Sequence, residues 1–209
     1  ASYYPLKKLE VIVVDDGSRE PIESDIQTSH HFPVIIIRQI PLGISSARNR
    51  GLDFVSADLI LFIDSDCIVH EECFTNLLVM AEKFPGAEGF QLHLTGDKST
   101  SVGIMEHLRL ETTQRVMLQE DQTIKYVNTA GFAIRKKAIL THEFFPLWAR
   151  RGEDTMILLR LAENDCLPVF VDNANACHSP SISMFRYIFK HFFIGYYCGN
   201  TREEMKISG

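Results

Sequence analysis

The sequence predicts an α/β domain, a mainly parallel sheet flanked by helices on both faces. Short runs of β-branched and aromatic residues alternate with longer segments whose apolar residues recur at helical spacing. Two of those runs end in paired acids, Val14 before Asp15-Asp16 and Ile63 before Asp64-Ser65-Asp66. In such sheets ligands bind beyond the carboxyl ends of the strands, so both acid pairs are expected on one rim. The length of 209 residues, with 45% hydrophobic and 23% charged, suits one globular domain with an appendage.

The elements follow in order. Leu9–Val14 is a short β-branched strand ending at Asp15-Asp16-Gly17-Ser18. The polar segment Arg19–Ser29 is expected to hold a short helix, and Phe32–Ile37 is a second buried-type strand. Gly43–Val55 reads as a helix opened by Gly43 and Ser45-Ser46. Leu59–Ile63 is a third strand. His70–Phe84 is an amphipathic helix with Phe74, Leu77, Leu78 and Ala81 on one face, stopped by Pro85-Gly86. Ala87–Leu94 is a strand with polar alternation, and Val102–Gln119 a long helix. Lys125–Ile134 reads as a strand broken by Gly131, Glu153–Asn164 as a helix, and Pro168–Val171 as the last strand. No linker or repeat divides residues 1–180, which are taken as one domain; 181–209 is an aromatic, helical tail.

Composition excludes several functions. A net charge of −6 argues against nucleic acid, whose phosphates need a basic face. Five cysteines without a CxxC pair argue against a disulfide framework or structural zinc, and for a reducing cytoplasm. Ala1–Lys8 lacks the apolar core of a signal peptide. Ile182–Cys198 is apolar, but Arg186, Lys190 and His191 interrupt it, so it falls short of the roughly 20 apolar residues of a membrane span.

The candidate chemistry lies at the strand ends. Asp64-Ser65-Asp66 presents two carboxylates in one loop, which suits a hard divalent cation bridging to phosphate oxygens, or else a solvated turn. Asp15-Asp16-Gly17-Ser18 reads as a tight turn, or as a carboxylate for a base or ribose. Gly43-Ile44-Ser45-Ser46-Ala47-Arg48-Asn49-Arg50-Gly51 puts small residues and two arginines at a helix start, where an anion is stabilised. Glu153-Asp154 opens a helix, where acids complement the dipole and where a carboxylate also serves as general base. His178 follows the last strand and is either structural or a metal ligand.

Taken together in this order, the motifs resemble family 2 glycosyltransferases of the GT-A fold, over about residues 5–180. The resemblance implies inverting, metal-dependent transfer of a sugar from a nucleotide-sugar, usually a UDP-sugar, to a hydroxyl acceptor, as in cell-surface polysaccharide synthesis. It implies that Asp15 or Asp16 contacts uracil or ribose, Arg48 the base or diphosphate, and Asp64 the ribose. Asp66 and His178 would hold Mg²⁺ or Mn²⁺. Asp154 would be the catalytic base, with Glu153 beside it near the acceptor. Gly131, in Asn128–Arg135, and Trp148, on the loop ahead of the base, would line the donor sugar and acceptor.

Three departures qualify the match. Relatives carry an apolar strand and a helix before the segment matching Tyr4-Pro5, so the domain is expected to be N-terminally incomplete. His142-Glu143-Phe144-Phe145-Pro146 replaces the usual Gly-Gly-Phe-Asp. The Gln-x-x-Arg-Trp motif of processive synthases is absent after His178, which favours single transfer. Expected partners are a nucleotide-sugar and a glycan or lipid-linked acceptor, without nucleic acid. Residues 182–198 would supply either peripheral contact with the inner face of the membrane or a homo-oligomer surface. The competing readings are a nucleotide-sugar-binding domain without catalysis and a haloacid-dehalogenase-like phosphatase, which also places D-x-D after an apolar strand.

Overall fold

A computed structural model of the chain describes residues 8–22, 32–139, 143–148 and 152–194. Strands β1 (Val11–Asp15) and β2 (Val34–Arg38) pair in parallel as a two-stranded sheet. Helix α1 (Ile44–Leu52) follows, then β3 (Leu59–Phe62), β4 (Cys67–Val69) and helix α2 (Cys73–Lys83). Next come β5 (Gly89–Gly96), helix α3 (Ser101–Met117), β6 (Phe132–Arg135), helix α4 (Glu153–Glu163) and β7 (Val169–His178). A last helix, α5, is described over 184–194.

The main sheet has five strands in the order β3-β6-β5-β7-β4. The α/β layering is the expected one, but the sheet is mixed rather than mainly parallel. β5 pairs with β7 in parallel, while β6 and β4 run against their neighbours. The alternation of side chains shows why helices cover both faces. Ile60, Phe132 and Ile134 join a core with Ile157 and Leu161 of α4, while Leu59, Leu61 and Ala133 point into a second core with Leu77, Met80 and Ala81 of α2.

Glu10 ties the small sheet to the large one. Its carboxylate accepts from the Ser56 and Ala57 peptide N–H groups and from the Ser56 hydroxyl. Among the described residues β1 pairs only with β2, and β3 only with β6, so each keeps one open edge.

Three elements differ most from the sequence reading. The expected strand over Lys125–Ile134 shrinks to Phe132–Arg135, because Thr129–Gly131 forms a 3-10 turn capped by Asn128. The last strand extends well past Val171, to His178. Asp172, Asn173 and Asn175 are poor strand formers, yet Ala174, Ala176 and His178 are buried at period two and carry the strand onward. The third, β4, was not anticipated; it pairs with this extension, opposing Cys67 to His178. Most of the helix expected over Arg19–Ser29 lies outside the described residues, as does the tail beyond residue 194.

Candidate active site

The β4–β7 register explains the first cluster. Because Cys67 sits opposite His178, its neighbour Asp66 reaches the histidine, with Oδ2 3.2 Å from Nε2. The Ser179 N–H donates to the Asp66 carbonyl and fixes the loop. One ligand atom each from Asp66, Cys67 and His178 lies within 4.8 Å of the others. Burial, then the charges of Asp64 and Asp66, push the Cys67 thiol up to about 12, so it stays protonated. The donors fit to bind a cation are therefore a carboxylate and an imidazole, a set that suits Mn²⁺ and, less well, Mg²⁺.

His178 is held from behind. Its Nδ1 is 3.1 Å from Glu106 Oε1, on α3. Burial alone would lower the His178 pKa, but hydrogen bonding to Glu106 and the Asp66 charge raise it.

The second cluster is built on Arg48. Its guanidinium donates to Asp64 Oδ1 and to Glu153 Oε1, at 2.9 Å each, and lies 4.0 Å from Asp154 Oδ1. It also lies over the Phe145 ring. Asn49, next in sequence, explains how the loop before α4 is placed. Its side-chain amide donates to the Phe145 carbonyl and accepts from the Phe145 N–H. Phe145 in turn packs edge-on against Phe62 of β3 and Phe144. The segment is thereby pinned to α1 at Phe145, within the stretch that replaces the usual Gly-Gly-Phe-Asp.

Asp154 accepts a 2.7 Å hydrogen bond from the Thr129 hydroxyl. Burial first, then the neighbouring Glu153 charge, raise its pKa to about 7, against the lowering effect of Arg48. A carboxyl tuned to titrate near neutrality is poised for proton transfer.

The remaining expected residues sit as follows. Asp15 is buried at the end of β1 and accepts from the Ser18 N–H and from Arg38. Asp16 accepts from the peptide N–H groups of Leu42 and Gly43 and from Gln39. That carboxylate occupies the approach to α1 where the sequence suggested an anion. Gly43 has φ 94°, a left-handed value that only glycine holds cheaply. Gly131 is buried, and a Cβ there would sit 2.6 Å from the Leu94 Cδ2 atom, so a larger residue would have to displace that side chain. Trp148 is 54% exposed, ahead of residues 149–151, which lie outside the described residues. Motif reading missed Thr129, Asn49 and Glu106. Asn49 and Thr129 lay inside quoted motifs without a role of their own; Glu106 makes its contact from a distant helix.

The helix-flanked mixed sheet, with the carboxylate–imidazole pair and the arginine-bridged acid cluster at the ends of its strands, has the GT-A fold. The glycosyl transferase family 2 model matches residues 2–144, and the chain belongs to that family. Its relatives include the pre-mycofactocin glycosyltransferase of Mycobacterium tuberculosis H37Rv, 30% identical over 166 residues, which cover 76% of this chain and 35% of that protein. The amylovoran biosynthesis glycosyltransferase AmsB of Erwinia amylovora is 27% identical over 85 residues, covering 38% of this chain and 28% of that one. The chain thus spans about a third of the length of these relatives. Among solved structures, S. aureus TarS 1-349 in complex with UDP shares the fold at TM-score 0.67 and 16% identity, over 85% of this chain and 53% of that one. GalNAc-T7 with UDP, GalNAc and Mn²⁺ does so at TM-score 0.59 and 14% identity, over 82% and 38%. Family membership removes the phosphatase alternative.

Proposed function

We propose that this chain carries the donor site and catalytic base of an inverting glycosyltransferase that uses a nucleotide-sugar, with UDP as the favoured nucleotide. The observation that carries this reading is Asp154: a carboxyl raised toward neutrality, hydrogen-bonded to Thr129, beside the Arg48–Asp64 pair. The acceptor hydroxyl oxygen attacks the anomeric carbon opposite the diphosphate. Its proton passes to Asp154, a new C–O bond forms, and the old one breaks with its electron pair on the departing diphosphate. Arg48 holds Asp64 and Glu153 apart at fixed distances, so that Asp64 meets the ribose and Glu153 the acceptor side. Asp15, Asp16, Gly131 and Trp148 belong to the same reading, as walls of the donor and acceptor pocket.

Asp66 and His178 would hold Mn²⁺ or Mg²⁺, which when bound neutralises charge on the leaving diphosphate. UDP is expected to bind more tightly with Mn²⁺ than with a chelator, by about tenfold or more, equivalent to about 1.4 kcal/mol. Asp66→Ala is expected to erase that difference. Titration calorimetry checks both, and equal UDP affinity in chelator and Mn²⁺ would remove the metal from the mechanism.

Helix α5 suits an acceptor held at a membrane. Phe185, Ile188, Phe189, Phe192 and Phe193 form one exposed stripe, the outermost being Phe192 at 72% exposure. Arg186 and Lys190, four residues apart, run along its edge and favour anionic lipid. The four described cysteines are free, consistent with a cytoplasmic setting. Among the described residues no helix is long and apolar enough to cross a membrane. The protein is expected to cosediment with anionic liposomes, less so in high salt. Replacing Phe185 and Phe192 with Glu should weaken that by about tenfold or more, given about 1.5–3 kcal/mol per buried large apolar side chain. Unchanged cosedimentation would assign the stripe to a second copy of the chain.

A further inference from the structure

Glu106 of α3 is absent from every motif above and from the proposed mechanism, yet it is 3% exposed and surrounded by donors. Arg109 donates to both its oxygens, Nη2 at 2.6 Å and Nε at 2.9 Å. The Tyr187 hydroxyl of α5 donates to Oε2 at 2.7 Å, and His178 Nδ1 lies 3.1 Å from Oε1. Four donors use the acceptor capacity of one carboxylate, which offers about four lone-pair sites. Burial alone would raise the Glu106 pKa, but these partners hold it well below the usual carboxylate range.

An imidazole ligates a metal through one unprotonated nitrogen, and the hydrogen bond at the other nitrogen decides which one that is. Here the second nitrogen, Nε2, is the one turned toward Asp66. We propose that Glu106 is the positioning residue of the metal site. By accepting from Nδ1–H it fixes the ring angle and tautomer of His178, leaving Nε2 to the cation. Tyr187 extends that hold to α5, so the seating of this helix and the metal affinity are coupled. The ring of His191 lies against that of Tyr187, with centroids 4.2 Å apart, and keeps the phenol in place. This inference rests on the reading of Asp66 and His178 as metal ligands.

The test is Mn²⁺ titration followed by electron paramagnetic resonance of the free ion, with no turnover involved. Glu106→Gln puts an amide NH₂ where one acceptor oxygen stood, so it cannot serve the Arg109 fork and His178 together. It is expected to weaken Mn²⁺ binding by about 10–100-fold, the usual cost of losing such a partner. Tyr187→Phe removes one hydroxyl and leaves the other donors, and should give a smaller loss in the same direction. In metal-free protein at a pH where the ring is neutral, ring-nitrogen NMR should find His178 protonated at Nδ1 in the wild type and mixed in Glu106→Gln. A merely structural ion pair with Arg109 would not move that tautomer. Wild-type Mn²⁺ affinity and tautomer in folded Glu106→Gln overturn the proposal. If that variant does not fold, Tyr187→Phe carries the test, and unchanged Mn²⁺ affinity there overturns it. Absence of Mn²⁺ binding by the wild type would instead overturn the metal reading beneath it.

Discussion

Asp154→Asn is expected to lower turnover by about two to four orders of magnitude while leaving UDP affinity near normal. The amide keeps the size of the carboxylate and can still accept from Thr129, but it cannot take the acceptor proton. The pH dependence follows from burial and the Glu153 charge, which raise the Asp154 pKa to about 7. A base must be ionised to act, so wild-type turnover should climb through neutrality and level off above it. Stability runs the other way. The folded state keeps a proton that the unfolded chain releases near 3.8, so folding stability declines as pH rises from about 4 to about 7. Asp154→Asn carries no such charge. It should therefore melt above the wild type at pH 8, with the gap closing toward pH 4. Each kcal/mol relieved is worth about 2–4 °C in a chain of this size. Turnover and thermal melts across pH check both halves, and undiminished turnover would reduce Asp154 to a helix-start acid.

How much of this was legible in the sequence depends on the distance over which each residue acts. The strands bearing Val14 and Ile63 announce themselves because a short apolar run followed by acids has few other uses. Arg48 and Asn49 stood inside a quoted motif, but what they bind did not. Their partners, Glu153 and Phe145, lie 105 and 96 positions away. Glu106 sits 72 residues before His178 on a helix with no clear apolar face, and nothing local distinguishes it from a solvated acid. The length of β7 was hidden for another reason. Its Asn and Asp residues have low strand propensity, and the small alanines that face the core make a weak apolar signal. The reversed direction of β6 and β4 is invisible to periodicity, which reports which faces are covered and not which way a strand runs.

That division explains which features of the site are robust. The Asp66–His178 pair depends on one register, Cys67 opposite His178, set by a three-residue strand at the edge of the sheet. Short edge strands are weakly held by their own ladders. Here the register is reinforced from the other side: Ser179 bonds to Asp66, and the Asp97 N–H donates to the His178 carbonyl. In the acid cluster, by contrast, Asp64 and Glu153 are joined through a single side chain, Arg48.

Arg48→Met is expected to be the most damaging substitution to the fold of the site. It removes the partner of Glu153, whose side chain is about as buried as that of Arg48 itself, at 10% and 11% exposure. Taking one member from a buried pair leaves an uncompensated charge and costs about 3–5 kcal/mol. In a chain of this size that corresponds to a fall in Tm on the order of 10 °C. Arg48→Lys should recover only part of it, because one ammonium cannot reproduce the two separate nitrogens that meet Asp64 and Glu153. The stacking of the guanidinium over Phe145 is lost as well, loosening the loop that leads to the base. Activity should change in a recognisable way. Arg48, ahead of the Thr129 hydrogen bond, lowers the Asp154 pKa against burial and Glu153, so without it the rising limb of the pH–rate profile moves to higher pH. Turnover of Arg48→Met should therefore fall most below neutrality and recover partly toward pH 9. A variant that melts within a degree or two of the wild type, with an unshifted profile, would show that Arg48 makes only solvent-screened surface pairs and does not tune Asp154.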